Sequence, residues 1–349
     1  MSAEFLAPLQ LYHIAKSFSE SIFYFTILLN IIVILLTIFY TKNIDNTFKH
    51  LIVLFSIFST LFLSVEYLVH PFFHSHNHGY FCFSLEQLNG ASKELLTLVV
   101  SSYAATFSSV LAVTVCQFVF RYWLLISHPY LKYFKGFRLI YWIIYIILVG
   151  FIIGLITHIC GSPDEYSIEY FRETMQENYN VDSSQTPGVI IVSFATMFDN
   201  QEELRWKNIG FPMGLVTVIS SQYSIVIYCG YKLNKNIKSL MDKNSTTYIQ
   251  IQKQFFKTLI LQIVVPTITF HTPAFVIQLL TFLDFQLDFP TGVIVLPFTI
   301  YPPIDSLILL TVVKEYRGAF HTIFARRRNS TSPMHSTIPS SIKMALPHP

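Results

Sequence analysis

Long apolar runs separated by shorter polar segments dominate the sequence. Seven of these runs approach or exceed the ~20 residues that a helix needs to cross a bilayer. They cover about residues 21–40, 51–69, 95–118, 139–160, 209–230, 258–281 and 291–312. The runs are continuously apolar rather than alternating, which favours helices over the strands of a membrane β-barrel. The pattern therefore predicts an all-α membrane protein whose transmembrane domain, residues 21–312, is a bundle of seven helices.

The composition supports the same class. Charged residues make up 12% of the chain, against roughly 25% in soluble proteins. Hydrophobic residues make up 52%, and a soluble fold could not bury that much apolar surface and still cover itself with polar groups. Glu66 and Asp305 are the only acidic residues inside the seven runs.

The basic residues are distributed unevenly between the polar segments. If the N-terminus is outside the cell, 18 of the 23 Lys and Arg residues fall in the cytoplasmic segments and five in the outer ones. Cytoplasmic loops of membrane proteins carry such an excess of positive charge. The sequence therefore predicts an extracellular N-terminus, residues 1–20, and a cytoplasmic C-terminus.

The segments outside the bundle carry weaker patterns. Residues 313–328 place apolar side chains on one helical face, beginning with Tyr316, and this is typical of an amphipathic helix in the membrane interface. Residues 329–349 are rich in Ser, Thr and Pro and predict a disordered cytoplasmic tail. The stretch PGVIIVSF, in the long outer segment 160–208, predicts a short strand over the mouth of the bundle.

Four cysteines are too few for a disulfide scaffold. Cys82 and Cys160 both lie in predicted outer segments, where an oxidising environment permits a disulfide, so these two could pair. The remaining two lie within apolar runs, where a cysteine packs as a small apolar residue.

Four histidines, from His70 to His78, lie in the outer stretch HPFFHSHNH. One interpretation is a metal site, because the first two have the spacing of one helix face. A proline follows His70 and interrupts that helix, and the other histidines of the chain are scattered. The pattern favours a polar loop that titrates near pH 6, and no metal site is predicted.

No catalytic motif accompanies the seven runs. The sequence has no HExxH, GxSxG or glycine-rich phosphate loop. Proton-coupled transporters concentrate ionisable groups near the bilayer midplane, and many transporters are built from matching halves. This chain has one Asp in that region and an odd number of runs. The sequence predicts neither an enzyme nor a cofactor, and a transporter is the least favoured of the remaining classes.

Two features suit a bundle that switches between conformations. Arg121 follows the third run at its cytoplasmic edge, where it either reaches lipid phosphates or is held in one state and released in another. Asp305 lies roughly 10 Å above the cytoplasmic end of the seventh run. Pro303 beside it, and Pro266 in the sixth run, each remove a helical hydrogen bond. We predict that Asp305, Pro303 and Pro266 form an activation switch.

Polar and aromatic side chains inside the runs mark a candidate ligand pocket. A pocket lined by aromatic rings with few polar groups suits a small, weakly polar ligand. For each polar residue the alternative is a hydrogen bond between helices. The candidates are Ser102, Tyr103, Thr106 and Ser109 in the third run, Gln222 in the fifth, and Phe270 and His271 in the sixth.

Three blocks of sequence carry a family resemblance over about residues 10–325. They are FRYWLLISHPYLKYFKG after the third run, IQKQFFKTLILQIVVP leading into the sixth, and YPPIDSLILLTVVKEYRGAF around the end of the seventh. Together they resemble the nematode seven-transmembrane chemoreceptors of serpentine receptor class r, the Str and Srj groups. Arg121 stands where rhodopsin-like receptors have Asp/Glu-Arg-Tyr, but Phe120 replaces the acid, so an ionic lock within that motif is absent. PPID stands near the place of Asn-Pro-x-x-Tyr, without the Asn or the Tyr.

The resemblance implies a G-protein-coupled-type olfactory receptor that binds a small environmental molecule and activates a heterotrimeric G protein. It implies a plasma membrane location, in the cilia of sensory neurons, with membrane lipid around the protein and no nucleic-acid partner. The alternative is a seven-helix ligand-gated cation channel subunit, a class that places its N-terminus inside. The residues expected to face the G protein are Arg121, Tyr122, Lys132, Lys135, Lys232, Lys235 and Lys238.

Overall fold

The structure, a computed structural model, describes residues 7–41, 44–88, 90–196, 201–240, 246–283 and 288–319. Within these residues seven helical spans are long and apolar enough to cross a membrane, which confirms the predicted seven-helix bundle. The first five spans are α1 (Pro8–Phe39), α2 (Asn46–Val69), α3 (Lys93–Leu125), α4 (Ile140–Gly161) and α7 (Trp206–Leu240). Two short helices, α5 (Glu165–Tyr170) and α6 (Arg172–Tyr179), lie between α4 and α7. The sixth span comprises α8 (Thr246–Pro266) and α9 (Thr272–Leu280), and the seventh is α10 (Leu296–Val312).

The first helix extends beyond the predicted span. It begins at Pro8 rather than near residue 21, so most of the predicted extracellular segment is helical. Proline suits the first turn of a helix, where its missing N–H costs no hydrogen bond. Tyr12 anchors the extension, because its hydroxyl donates to Glu86 at 2.9 Å, and Lys16 forms an ion pair with the same carboxylate.

The third helix lies at the centre of the bundle. Every residue from Phe107 to Arg121 is buried, as expected for a helix that is apolar on all sides. The helix contacts α2, α4, α7 and α8. Its start is fixed by the side chain of Ser92, which accepts a hydrogen bond from the backbone N–H of Leu95 at 3.2 Å. Because α3 continues to Leu125, Arg121 lies inside a helix rather than at its end.

The sixth span changes helix type at its centre. α8 ends at Pro266, and residues Thr267–His271 form a π-helical turn before α9 begins. Proline has no N–H with which to continue the α-helical ladder, and π-helical turns recur at functional sites. The predicted irregularity at Pro266 is therefore a local widening of the helix.

The chain after α10 returns to the bundle. α10 contains Pro303 as a buried residue, and residues 314–319 form a further helical turn. Tyr316 is fully buried there, and its hydroxyl lies 2.6 Å from the hydroxyl of Thr37 in α1. Tyr316 thus packs against the bundle rather than facing lipid. The rest of the predicted interfacial helix, 320–328, and the predicted tail, 329–349, lie outside the described residues.

A four-stranded antiparallel sheet covers the end of the bundle opposite Arg121, which we call the outer end. Its order is β3 (Gly188–Val192), β2 (Gly79–Phe83), β1 (Phe72–His76) and β6 (Asp288–Phe289). A separate ribbon pairs β4 (Phe194–Thr196) with β5 (Glu202–Leu204). The histidine-rich stretch therefore forms the β1–β2 hairpin rather than an irregular loop, and PGVIIVSF contains β3.

Both faces of β2 and β3 are buried. Alternate side chains of a strand point to opposite faces. One set packs on the helix ends and the other packs beneath α1 and α6. The first set is Tyr80, Cys82, Val189 and Ile191, and the second is Phe81, Phe83, Ile190 and Val192. The sheet is thus a closed layer between the bundle and the outer helices.

The disulfide considered between Cys82 and Cys160 is not formed. Both residues are free thiols, although they border the same apolar cluster. The Sγ atom of Cys160 lies instead against Gly210 of α7. Burial raises the pKa of the Cys82 thiol above its ordinary value. Cys82 therefore packs as a small apolar side chain.

Candidate functional site

A small aromatic cavity lies beneath the sheet, among α3, α7, α9 and α10. Its volume is about 70 Å³. The rings of Phe107 and Phe270 are stacked, with centroids 3.4 Å apart, and Phe298 packs on Phe270 at 4.0 Å. The lining also includes Phe73, Tyr80, Tyr103, Ala104, Ser108, Phe211, Leu215, Ala274, Ile277 and Gln278. We call this space the inner cavity.

A larger groove lies between α7 and the sixth span. Its volume is about 600 Å³, within the ~300–1,000 Å³ typical of ligand sites. Apolar side chains dominate its lining, and none of the lining residues that the structure describes is charged. Leu215, Phe270, Ala274 and Gln278 line both the groove and the inner cavity. The two spaces therefore adjoin.

Three of the predicted pocket residues line these spaces. Tyr103 and Phe270 line the inner cavity, and Phe270 and His271 line the groove. Nδ1 of His271 lies 3.1 Å from both the carbonyl oxygen of Pro266 and the hydroxyl of Tyr223. That hydroxyl also lies 2.6 Å from the hydroxyl of Thr267. Tyr223 thus links the fifth and sixth spans below the groove.

The other four predicted pocket residues line neither space. The hydroxyls of Ser102 and Thr106 bond to carbonyl groups of their own helix, at 2.7 and 3.0 Å, which is a common way to satisfy a buried hydroxyl. Ser109 packs against Gly150 of α4. Gln222 is buried in α7 but belongs to neither lining. The face of α3 that lines the inner cavity carries Phe107 in addition to the predicted Tyr103.

Two polar residues without a predicted role, Gln278 and Glu66, form hydrogen bonds within the protein. The side-chain amide of Gln278 donates to the hydroxyl of Tyr80 and joins α9 to the sheet. Glu66 accepts hydrogen bonds from Ser19 at 2.8 Å and from Tyr103 at 3.5 Å. Both residues are polar and lie inside apolar runs. Polar residues in such runs face protein rather than lipid, and this rule would have identified both residues from the sequence.

The histidines of the hairpin connect the outer segments. Each lies near a carboxylate from another part of the chain, at N···O distances of 2.5 to 3.6 Å. The pairs are His70 with Glu20 and Glu86, His74 and His76 with Asp288, and His78 with Glu202. In the described part of the chain, no three His, Cys, Asp or Glu residues are placed to hold a metal ion.

His74 is the most enclosed of these histidines. It is 1% exposed, Nε2 donates to Asp288, and Nδ1 accepts from the hydroxyl of Tyr179 at 2.9 Å. Burial lowers the pKa of His74 more than the neighbouring carboxylate raises it, and the charge of nearby His76 lowers it further. The neutral ring is therefore the form that the folded outer end favours.

We expect acidification to loosen the pairing of β6 with β1, which the contact between His74 and Asp288 supports. The lowered pKa of His74 means that its contribution to stability is complete above the ordinary histidine pKa of about 6.5 and is lost as the pH falls below it. The measurement is hydrogen exchange of the peptide containing Asp288 and Phe289 at pH 7.5 and 5.0, expressed as protection factors. Protection should fall at pH 5.0 in the wild type, and His74→Gln should remove most of that difference. Equal protection at both pH values in the wild type would contradict the role of His74.

At the opposite end of the bundle, Arg121 is enclosed by aromatic rings. The side chain is 4% exposed. Its guanidinium carbon lies 3.6 Å from the ring centroid of Phe48 in α2 and 3.9 Å from that of Phe255 in α8. Nη1 donates to the side-chain oxygen of Gln252, also in α8, at 3.4 Å. Arg121 was expected to face the G protein, but in this conformation it is not exposed at the surface, because two helices close over it.

The other residues expected at this surface are more accessible. Lys132, Lys135, Lys235 and Lys238 are exposed, and Tyr122 and Lys232 are half-buried. The last three lysines lie on the extended end of α7, as their spacing predicted. A basic surface thus surrounds the buried Arg121.

Asp305 is completely buried in α10. One of its carboxylate oxygens accepts a hydrogen bond from Gln262 of the sixth span at 2.8 Å. The neighbouring Ser306 donates to Asn30 of α1 at 2.7 Å. The predicted switch residue thus joins the seventh span to the sixth, one turn before Pro266.

The arrangement is a bundle of seven membrane-spanning helices, and comparison with known proteins shows that its fold is that of rhodopsin. Squid rhodopsin superposes with a TM-score of 0.61 over 97% of this chain and 95% of its own, at 10% sequence identity, a likeness of fold alone. The family described as "Serpentine type 7TM GPCR chemoreceptor Str" matches residues 15–321.

The chain therefore belongs to the Str family of serpentine chemoreceptors. It is a multi-pass membrane protein, and its family is a family of receptors rather than enzymes. The Caenorhabditis elegans protein "G-protein coupled receptor str-33" is 33% identical over 89% of this chain and 91% of its own length. "Serpentine receptor class r-10" from the same species is 25% identical over 85% of this chain and 86% of its own.

Proposed function

We propose that this protein is a chemosensory receptor that binds a small, weakly polar molecule in the inner cavity and groove and activates a heterotrimeric G protein at the Arg121 end. The observation that carries the proposal is that the sixth span contacts both the ligand space and Arg121. At the outer end it contributes Phe270 and His271 to the ligand space. At the other end it contributes Gln252 and Phe255 to the enclosure of Arg121.

The shape of the sixth span supports coupling between these sites. Its π-helical turn, Thr267–His271, lies between the ligand-lining part and the part that covers Arg121. A ligand that favours a different position of His271 or Phe270 changes the helix at this turn. The part of α8 that carries Gln252 and Phe255 then moves away from Arg121 and exposes it to a partner, because packed helices shift between discrete arrangements.

The basic surface supports the choice of partner and orientation. We place the C-terminus and this surface in the cytoplasm and the N-terminus outside, since cytoplasmic segments carry the excess of Lys and Arg. Tyr122 and the lysines around Arg121 then face the G protein. The proposed location is the plasma membrane, in the cilia of sensory neurons, as expected for a receptor of environmental molecules.

The proposal is tested by expressing the wild type and Arg121→Ala in cells and applying a panel of volatile and water-soluble odorants. G-protein activation and membrane current are recorded together, at matched surface levels. We expect an odorant response through the G protein in the wild type and its loss in Arg121→Ala. A current that persists in Arg121→Ala without G-protein activation would identify an ion channel instead.

A further inference from the structure

The groove between the fifth and sixth spans opens towards the bilayer rather than towards water. Several of its lining side chains are exposed although they lie on membrane-spanning helices: Met213 is 61% exposed, Phe275 is 57% and Leu279 is 45%. Side chains in this position face lipid hydrocarbon. A molecule dissolved in the bilayer can therefore reach the groove directly.

Among the residues that the structure describes, the sheet closes the direct route from water. β2 and β3 are buried on both faces, and Tyr80 of β2 lines the inner cavity as its roof. A depression of about 740 Å³ lies on the outer surface and includes Lys93 and Asp182. It shares no lining residue with the groove or the inner cavity.

Two polar atoms at the inner wall of the groove show what kind of ligand it takes. Within the described residues, Nε2 of His271 and the side-chain oxygen of Gln278 are buried without a hydrogen-bond partner. The carbonyl oxygen of Pro266 can only accept, so Nδ1 of His271 carries the proton and Nε2 of the neutral ring is an acceptor. The amide nitrogen of Gln278 donates to Tyr80, which leaves its oxygen as a second acceptor.

A buried acceptor without a donor is costly, and a ligand that supplies the donor removes that cost. Resting on the proposed function, we infer that the groove is the entrance and outer part of the ligand site. It admits from the bilayer a small apolar molecule that carries one hydroxyl donor, an aliphatic alcohol in the simplest case. The hydroxyl hydrogen-bonds Gln278 or His271, and the hydrocarbon part extends towards Phe270.

The test is photolabelling of the purified full-length receptor in lipid nanodiscs with a diazirine derivative of 1-heptanol, followed by peptide mapping. We expect labels in the groove-lining parts of α7 and α9. We expect 1-heptanol to compete about tenfold better than heptane or 2-heptanone, because neither of these competitors can donate a hydrogen bond to the two unpaired buried acceptors. Gln278→Leu with His271→Phe should abolish this preference, and Gln222→Leu, the same change at a buried position outside the groove, should keep it.

The entrance itself is tested with Ala274→Phe, which fills the junction shared by the groove and the inner cavity. Labels in the inner cavity should fall while those on the groove side persist. Equal competition by heptane in the wild type would overturn the inference in favour of a lipid acyl-chain slot. Labels around the outer depression alone, or inner labels unchanged by Ala274→Phe, would overturn it in favour of an aqueous route. Because no G protein is present, these outcomes are independent of whether the receptor signals.

Discussion

Replacing Phe255 with alanine is expected to raise the signalling of the receptor without ligand by up to about 30-fold. The ring of Phe255 lies 3.9 Å from the guanidinium carbon of Arg121. A cation–π contact away from water is worth roughly 2 kcal/mol, and this corresponds to a factor of about 30 in an equilibrium constant. Losing the ring therefore shifts the bundle from the conformation that encloses Arg121 to one that exposes it.

Phe256 provides a matched control. It is the next residue of α8, it is half-buried, and no ring contact joins it to Arg121. Basal G-protein activation is measured for Phe255→Ala and Phe256→Ala at equal surface levels. Only Phe255→Ala should raise it, and combining that change with Arg121→Ala should abolish the increase. Unchanged or lower basal activity in correctly folded Phe255→Ala would contradict a restraining role for the enclosure.

The second large effect is expected at Gly188, where β3 approaches β2. A Cβ atom on this residue would lie 2.8 Å from the Cα of Phe83 and 2.7 Å from the ring of Phe81, and closer still to the carbonyl oxygen of Cys82. Two of these three neighbours are backbone atoms, so no change of side-chain rotamer relieves the clash. We expect Gly188→Ala to separate the strands and lower the yield of folded receptor several-fold, since overpacking costs ~1–3 kcal/mol or more.

The measurement is size-exclusion chromatography of detergent-solubilised receptor carrying a C-terminal fluorescent protein. Gly318→Ala is the control, because a Cβ atom there meets nothing within 4 Å. Its monodisperse peak should match the wild type, whereas the peak of Gly188→Ala should shrink in favour of aggregate. A wild-type yield from Gly188→Ala would show that the sheet does not support the fold of the outer end.

The seven spans followed from the sequence because bilayer thickness imposes a length and polarity that few other structures share. Asp305 is buried because a carboxylate within a membrane-spanning helix is costly unless it faces protein or water. β3 was predicted because its apolar run is short and contains β-branched residues. The extension of α1 to Pro8 was not predicted, because it depends on contacts between residues distant in sequence. Glu86 accepts a hydrogen bond from Tyr12 and forms an ion pair with Lys16.

The sequence could not indicate which face of α3 lines the ligand space. A helix buried on all sides has no amphipathic pattern to mark one face, and the hydroxyls of Ser102 and Thr106 are satisfied by their own backbone. The enclosure of Arg121 was equally hidden. It joins residues from α2, α3 and α8, and only the packing of the bundle brings them together.

The most direct test of receptor function uses purified components. Nucleotide exchange on a purified heterotrimeric G protein is measured with the receptor in lipid nanodiscs, with and without an odorant that activates it in cells. The wild type should accelerate exchange on addition of the odorant. Arg121→Ala should bind the same odorant with unchanged affinity and leave exchange at the rate seen without receptor. Exchange that the odorant leaves unchanged in the wild type, or accelerates equally in Arg121→Ala, would contradict the proposed link between the ligand space, the sixth span and Arg121.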